Sequence, residues 1–211
     1  AYLFAMHDEW DDYLYCKSKL GKCLQKKWKF NEAIDTIKSA LKISLNYIDE
    51  INVKVADAYD DIGFPFYYLS EFDSVTHYWT RSLKIREQLF GEINTDIAIS
   101  SLNIGAVHLN KDEYDIALSF FYKALNIFKR TLGDEHEYVS DNYNNIGAIH
   151  HKKDDLDSAL FYYDKSLKIR QKIYKDKHKN IALSYNNIGS VYHQKKEFDL
   201  AHEYHMRALN M

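Results

Sequence analysis

The sequence predicts an all-α chain, an α-solenoid of about five stacked helix pairs, and three observations carry that prediction. A glycine returns every 42 residues, at Gly21, Gly63, Gly105, Gly147 and Gly189. The same words surround it: "YNNIG" ends at Gly147 and again at Gly189, "YDDIG" at Gly63, "SLNIG" at Gly105 and the looser "KSKLG" at Gly21. Apolar residues then recur at helical spacing in two separate stretches of each period. A fixed period of this length marks an array of small supersecondary units rather than one undivided core.

Each repeat opens with a first helix. The residue before the glycine (Leu20, Ile62, Ile104, Ile146, Ile188) and the residue three after it (Leu24, Phe66, His108, His150, Tyr192) share one helical face. A short polar turn follows, ending in Phe30-Asn31, Phe72-Asp73, Tyr114-Asp115, Leu156-Asp157 and Phe198-Asp199. The Asn or Asp is expected to cap the second helix or to favour its positive end. That second helix carries small residues at Ala33, Val75, Ala117, Ala159 and Ala201, large ones at Ile37, Trp79, Phe121, Tyr163 and His205, then small ones at Ala40, Ser82, Ala124, Ser166 and Ala208. Small residues at these points mean that another helix approaches closely. Neither helix can hide its apolar stripe alone, so each pair must stack on its neighbours.

This order of small and large residues resembles the tetratricopeptide repeat, whose pattern places an aromatic, a Leu-Gly, a second aromatic and then Ala and Phe on two helices. The aromatic that opens it is Tyr59, Tyr143 and Tyr185 but Lys17 and Ser101 elsewhere, so those two repeats are expected to pack more loosely there. Where a closing proline is expected the chain reads Leu45, Glu87, Lys129 and Gln171, so the second helix runs on. Together with "LGDEHEYVS" and the loop histidines His136 and His178, this looks like the 42-residue repeat of kinesin light chains. The resemblance implies a right-handed superhelix of antiparallel helix pairs with the first helices on the concave side, and a non-catalytic module that binds an extended or helical segment of a partner protein in that concave groove.

The repeats are placed at 9–50, 51–92, 93–134, 135–176 and 177–211, with 1–8 as the tail of a preceding helix. Ala1 and Met211 share the phase of Ile43, Ile85, Ile127 and Ile169, so the chain reads as a window from a longer protein whose exposed ends can self-associate.

Twenty-eight Lys and Arg against 31 Asp and Glu give a formal charge of −3, without the basic excess of a nucleic-acid binder. The opening "AYLFAMHDEW" is neither a signal peptide nor a membrane span. Cys16 and Cys23 lie seven residues apart in one helix, about 10 Å at the α-helical rise, too far for a disulfide. Free thiols suit a reducing, cytoplasmic setting. Motifs for nucleophilic catalysis, phosphate loops and zinc hydrolysis are missing, so no catalysis, cofactor or metal is expected. His202 and His205 are spaced as ligands could be, yet His205, like His108 and His150, falls on a packing position.

What packing leaves over is one face of each first helix. Two before the glycine it reads Lys19, Asp61, Asn103, Asn145 and Asn187. Asn carries a donor and an acceptor, so the three asparagines can hold the backbone of an extended segment, or else bond to neighbouring helices. Lys19, Lys22 and Lys26 make the first repeat basic and Asp57 and Asp61 the second acidic, which points to an acidic group of the partner near the first repeat. Pro65, the only proline, stands inside a first helix and must free the carbonyl of Asp61. With Phe64 and Tyr68 beside it, the second repeat is expected to be an anchor: two acceptors and an aromatic wall. Two other roles fit the same residues, a structural spacer or oligomerisation element and a sensor array regulating an enzymatic domain of the same polypeptide.

Overall fold

The computed structural model describes residues 2–174 and 178–211, with side chains from residue 8 onward. Among these are ten α-helices and no strand: α1 (Tyr2–Lys26), α2 (Phe30–Ser44), α3 (Val53–Tyr68), α4 (Phe72–Phe90), α5 (Thr95–Asn110), α6 (Tyr114–Leu132), α7 (Glu137–Lys152), α8 (Leu156–Ile173), α9 (Lys179–Gln194) and α10 (Phe198–Leu209). They form two compact units, Ala1–Ser100 and Ser101–Met211, with α5 contributing to both. The all-α helix-pair architecture is the one the periodicity predicts. No described helix is long and apolar enough to cross a membrane.

The glycine ladder exists because a large side chain of the second helix lies on the backbone of the first. In the first unit a Cβ built on Gly21 would stand 2.4 Å from Ile37 Cδ1, and one on Gly63 2.2 Å from Trp79 Nε1. In the second unit the same test meets Phe121 at 2.7 Å from Gly105, Tyr163 at 2.8 Å from Gly147 and His205 at 3.0 Å from Gly189. At the first four contacts a Cβ would force the facing side chain to shift, and at the fifth it would crowd the His205 ring. Val75, Ala117 and Ala159 are fully buried beside them, as helix contact requires.

Every first helix ends in the same turn. A left-handed residue follows it, Trp28, Ser70, Asp112, Asp154 or Lys196. At the first turn the Trp28 N–H donates to the Gln25 carbonyl at 2.9 Å and the Lys29 N–H to Leu24 at 3.0 Å, and the other four repeat the pattern. The second helices are therefore capped two residues earlier than expected, by Lys29, Glu71, Glu113, Asp155 and Glu197. Of these Asp155 takes a cap bond, from the Ser158 N–H at 3.2 Å. Asp73, Asp115, Asp157 and Asp199 lie in the first turn instead, where a negative charge suits the helix dipole.

First helices are capped by side chains: Asn52 accepts from the Lys54 N–H and Asn94 from the Asp96 N–H, both at 2.7 Å. His136 and His178 use Nδ1 in the same way on the Tyr138 and Asn180 N–H groups, at 3.2 Å. Trp10 holds the corresponding position and offers no acceptor. There α1 runs on unbroken from Tyr2 to Lys26, across position 8 where a preceding helix was expected to end. Ala1, and the repeat boundary expected at 176 and 177, lie outside the described residues.

One buried arginine per unit ties helices together. Arg86 of α4 holds Asp57 at 2.6 Å and Asp60 at 2.7 Å on α3. Arg170 of α8 holds Asp141 of α7 at 2.8 Å and, on α9, the Ser184 hydroxyl at 2.7 Å and the Asn180 carbonyl at 3.0 Å. The two aromatics of three repeats also pair beneath a cation: Tyr59 and Tyr78 with Arg81, Tyr143 and Tyr162 with Lys165, Tyr185 and Tyr204 with Arg207. Where that aromatic is missing, Lys17 lies over the Tyr13 ring and Ser101 is fully buried.

Candidate functional site

A pocket of about 430 Å³ opens in the first unit, lined by Lys22, Gln25, Lys26, Trp28, Phe30, Phe64 and Tyr68. Three elements build it. Lys22, Gln25 and Lys26 are three and four residues apart on α1 and share a face. Phe64 and Tyr68, four apart, do the same on α3. The turn between α1 and α2 supplies Trp28 and leads into Phe30.

The aromatic wall is ordered by ring contacts. Tyr68 stacks on Phe30 with centroids 5.3 Å apart and planes at 6°. Trp28 meets Phe30 edge-on at 5.7 Å, and Phe64 meets Trp79 edge-on at 5.3 Å. Trp28 is nonetheless 76% exposed and Tyr68 61%. Trp28 is also held at φ 61°, where a side chain other than glycine costs on the order of 1–3 kcal/mol. The sister turns place Ser70, Asp112, Asp154 and Lys196 at this strained point. A large, exposed, strained aromatic is thus confined to the turn that borders the pocket.

Asp61 joins α1 to α3. Its carboxylate, in a residue only 3% exposed, lies 3.0 Å from Lys22 Nζ. Burial pushes that carboxyl up to about 6, and the Lys22 hydrogen bond and charge only partly offset the rise. The neighbouring Asp60 is also raised by burial, against the pull of Arg86. The Asp61 carbonyl, freed by Pro65 as expected, accepts from the Gln25 side-chain amide at 2.9 Å. Helix α3 runs through the proline without a break.

Of the residues singled out in the sequence, Lys22, Lys26, Phe64 and Tyr68 meet in this pocket. Lys19 stands beside it, its ammonium 4.9 Å from the Tyr15 ring centroid, and lines a smaller hollow with Lys22, Lys54, Asp57 and Asp61. Two expectations need correction. The anchor does not offer two open acceptors at Asp61, because Lys22 takes its carboxylate and Gln25 its carbonyl. Asp57 is likewise held by Arg86.

The asparagines divide. Asn103 and Asn145 stand half-buried on α5 and α7. Asn187 donates Nδ2 to Asn144 Oδ1 at 2.9 Å and so ties α9 to α7. Its removal is expected to cost the second unit about 0.5–1.5 kcal/mol, the net worth of one such bond. Urea unfolding of Asn187→Ala checks this. Trp28 and Gln25 were not singled out in the sequence, and Phe30 only as the end of a turn, although a tryptophan two residues before the second helix, where sister repeats are polar, is a visible departure.

Comparison with known proteins bears on the whole chain. The tetratricopeptide repeat family model matches residues 96–172 and 141–211, together more than half of it. No curated protein matches. Among solved structures, BtubC (BKLC) from P. vanneervenii is 18% identical with a TM-score of 0.81, over 100% of this chain and 91% of that one. The nearly identical TPR-like repeats assigned to a kinesin light chain of Podosopora anserina are 11% identical with a TM-score of 0.81, over 95% of each chain. The apo form of RapI is 18% identical with a TM-score of 0.76, over 92% of this chain and 68% of that one. At these identities the likeness is one of fold. The family match, with the 42-residue ladder of helix pairs, establishes that the chain belongs to the tetratricopeptide repeat family, and its helix pairs are similar in fold to the TPR-like repeats of that kinesin light chain.

Proposed function

We propose that the chain is a non-catalytic protein-interaction module that seats a segment of a partner protein in the pocket between α1, α2 and α3. One observation carries this reading: where the sister turns place Ser70, Asp112, Asp154 and Lys196, this turn places a tryptophan that is 76% exposed, over a hollow already walled by Phe30, Phe64 and Tyr68. The occupant that fits is a large apolar side chain, best an aromatic one, because ring-on-ring contact adds to the area buried. Lys22 and Lys26 border the hollow, so the occupant should carry a carboxylate beside the ring. Asn103 and Asn145 remain available to the backbone of a partner segment in the second unit.

Trp28→Gly separates binding from folding. Glycine relieves the left-handed strain and is expected to raise stability by about 1 kcal/mol, while the peptide acetyl-Trp-Glu amide should bind at least tenfold more weakly, roughly the loss of a single aromatic hot spot. Calorimetry and thermal melts read the two effects. A variant that gains stability and binds the peptide as the parent does would leave Trp28 without a binding role.

A further inference from the structure

Lys22 serves two masters. Its side chain, 46% exposed, lines the aromatic pocket, and its ammonium is the cation paired with the Asp61 carboxylate, whose side chain is 4% exposed. An acidic group arriving from solvent reaches Lys22 easily, whereas Asp61 cannot follow its partner outward. The charged groups acting on Asp61 are few. From α1 comes Lys22; on α3 itself Asp60 and Asp57 both repel a second negative charge. Arg86 of α4 is taken by those two aspartates. Lys19 of α1 and Lys54 of α3 share the smaller hollow, where Lys19 lies over the Tyr15 ring and Lys54 pairs with Asp11 and Asp12. Without Lys22, the Asp61 carboxylate would be a buried charge beside two others of the same sign, a state relieved by taking up a proton.

We propose that the pocket is gated by a proton: the partner's carboxylate takes Lys22 from Asp61, and the Asp61 carboxyl accepts one proton from solvent as its lysine leaves. This rests on the reading of the pocket as the partner site. The gate belongs to the first two repeats alone, because the sister positions of Asp61 are Lys19, Asn103, Asn145 and Asn187. The Asp61 carboxyl already titrates near 6 while Lys22 is in place, so losing that cation moves it higher still and proton uptake accompanies binding near neutral pH. Affinity for an acidic segment therefore rises on acidification.

Calorimetry of the full chain with acetyl-Trp-Glu amide, in two buffers of different protonation heat, tests this. Between about pH 7.5 and about pH 5.5 the affinity is expected to rise roughly tenfold, with close to one proton taken up at the higher pH. Acetyl-Trp-Gln amide should show neither effect. Asp61→Asn should bind the Glu peptide at the higher pH as tightly as the parent does at the lower, with no proton taken up. Should that variant fail to fold, the proton count on the parent decides. Binding by the parent with no proton uptake and no pH dependence overturns the gate and leaves the pocket standing. Binding of neither peptide at either pH overturns the pocket, and the gate with it.

Discussion

Leucine in place of Gly147 is expected to destabilise the second unit by roughly 1–3 kcal/mol through overpacking. Even a Cβ there would stand 2.8 Å from Tyr163 Cδ1 and 3.0 Å from Cε1. The ring cannot step aside, since Tyr163 is 3% exposed and packed in a cluster with Ala159, Leu167, Ile181, Ile188 and Val191. Burial pushes its hydroxyl up to about 12, so deprotonation offers no easier way out to water. Tyr163→Ala alone should cost about 3–5 kcal/mol, as for other large buried aromatics. The two changes together should cost less than their sum, because the leucine carbons occupy space the ring leaves. Urea unfolding of the four proteins measures this coupling. Strict additivity would mean that Gly147 and Tyr163 do not share a contact.

Asn in place of Asp61 should act in the opposite direction and stabilise the first unit near neutral pH. The folded carboxyl is raised from its ordinary 3.8 to about 6, so the folded chain holds this proton more tightly than the unfolded chain does. The associated stability is fully present below about 3.8 and is lost as pH rises through about 6. A shift of that size corresponds to on the order of 2–3 kcal/mol at neutral pH. Asn keeps the shape of the protonated acid without its charge, and Lys22, half in solvent, loses little when unpaired. The stability difference between Asp61→Asn and parent should therefore be largest above about pH 7 and close by about pH 4. Denaturant melts across that range read it directly. A variant less stable than the parent at neutral pH would show that the Lys22 pair outweighs the cost of burying Asp61.

Period and packing were legible in the sequence because they repeat. Five glycines in register, each sixteen residues before a large side chain, leave few other ways to pack two helices. The turns were less legible. A left-handed residue needs no particular letter when the backbone bonds of the turn hold it, so Trp28, Ser70, Asp112, Asp154 and Lys196 look unrelated. Of the two roles the sequence offers the Asn or Asp of that turn, the aspartates take the one at the positive end of the helix, and the cap position falls two residues earlier. At the site, Lys22, Lys26, Phe64 and Tyr68 follow from helical spacing alone. Their partners do not, because Gln25 and Lys22 meet Asp61 across a helix junction that no local spacing encodes. Pro65 did mark its carbonyl as free, while the group that satisfies it lay 36 residues away from Asp61 in sequence. The near-identical asparagine words likewise conceal two fates, since only Asn187 reaches its neighbour Asn144.

Nitrogen-edited NMR of the full chain, titrated with acetyl-Trp-Glu amide, tests most directly whether the aromatic pocket is the binding site. Saturating shifts are expected at the Trp28 indole N–H and at the backbone amides of 26–30 and of Phe64, Phe66, Tyr67 and Tyr68, fitting a single site and lost in Trp28→Gly. Saturating shifts confined to α5, α7 and α9 around Asn103, Asn145 and Asn187, or no saturable shift at all, would contradict it.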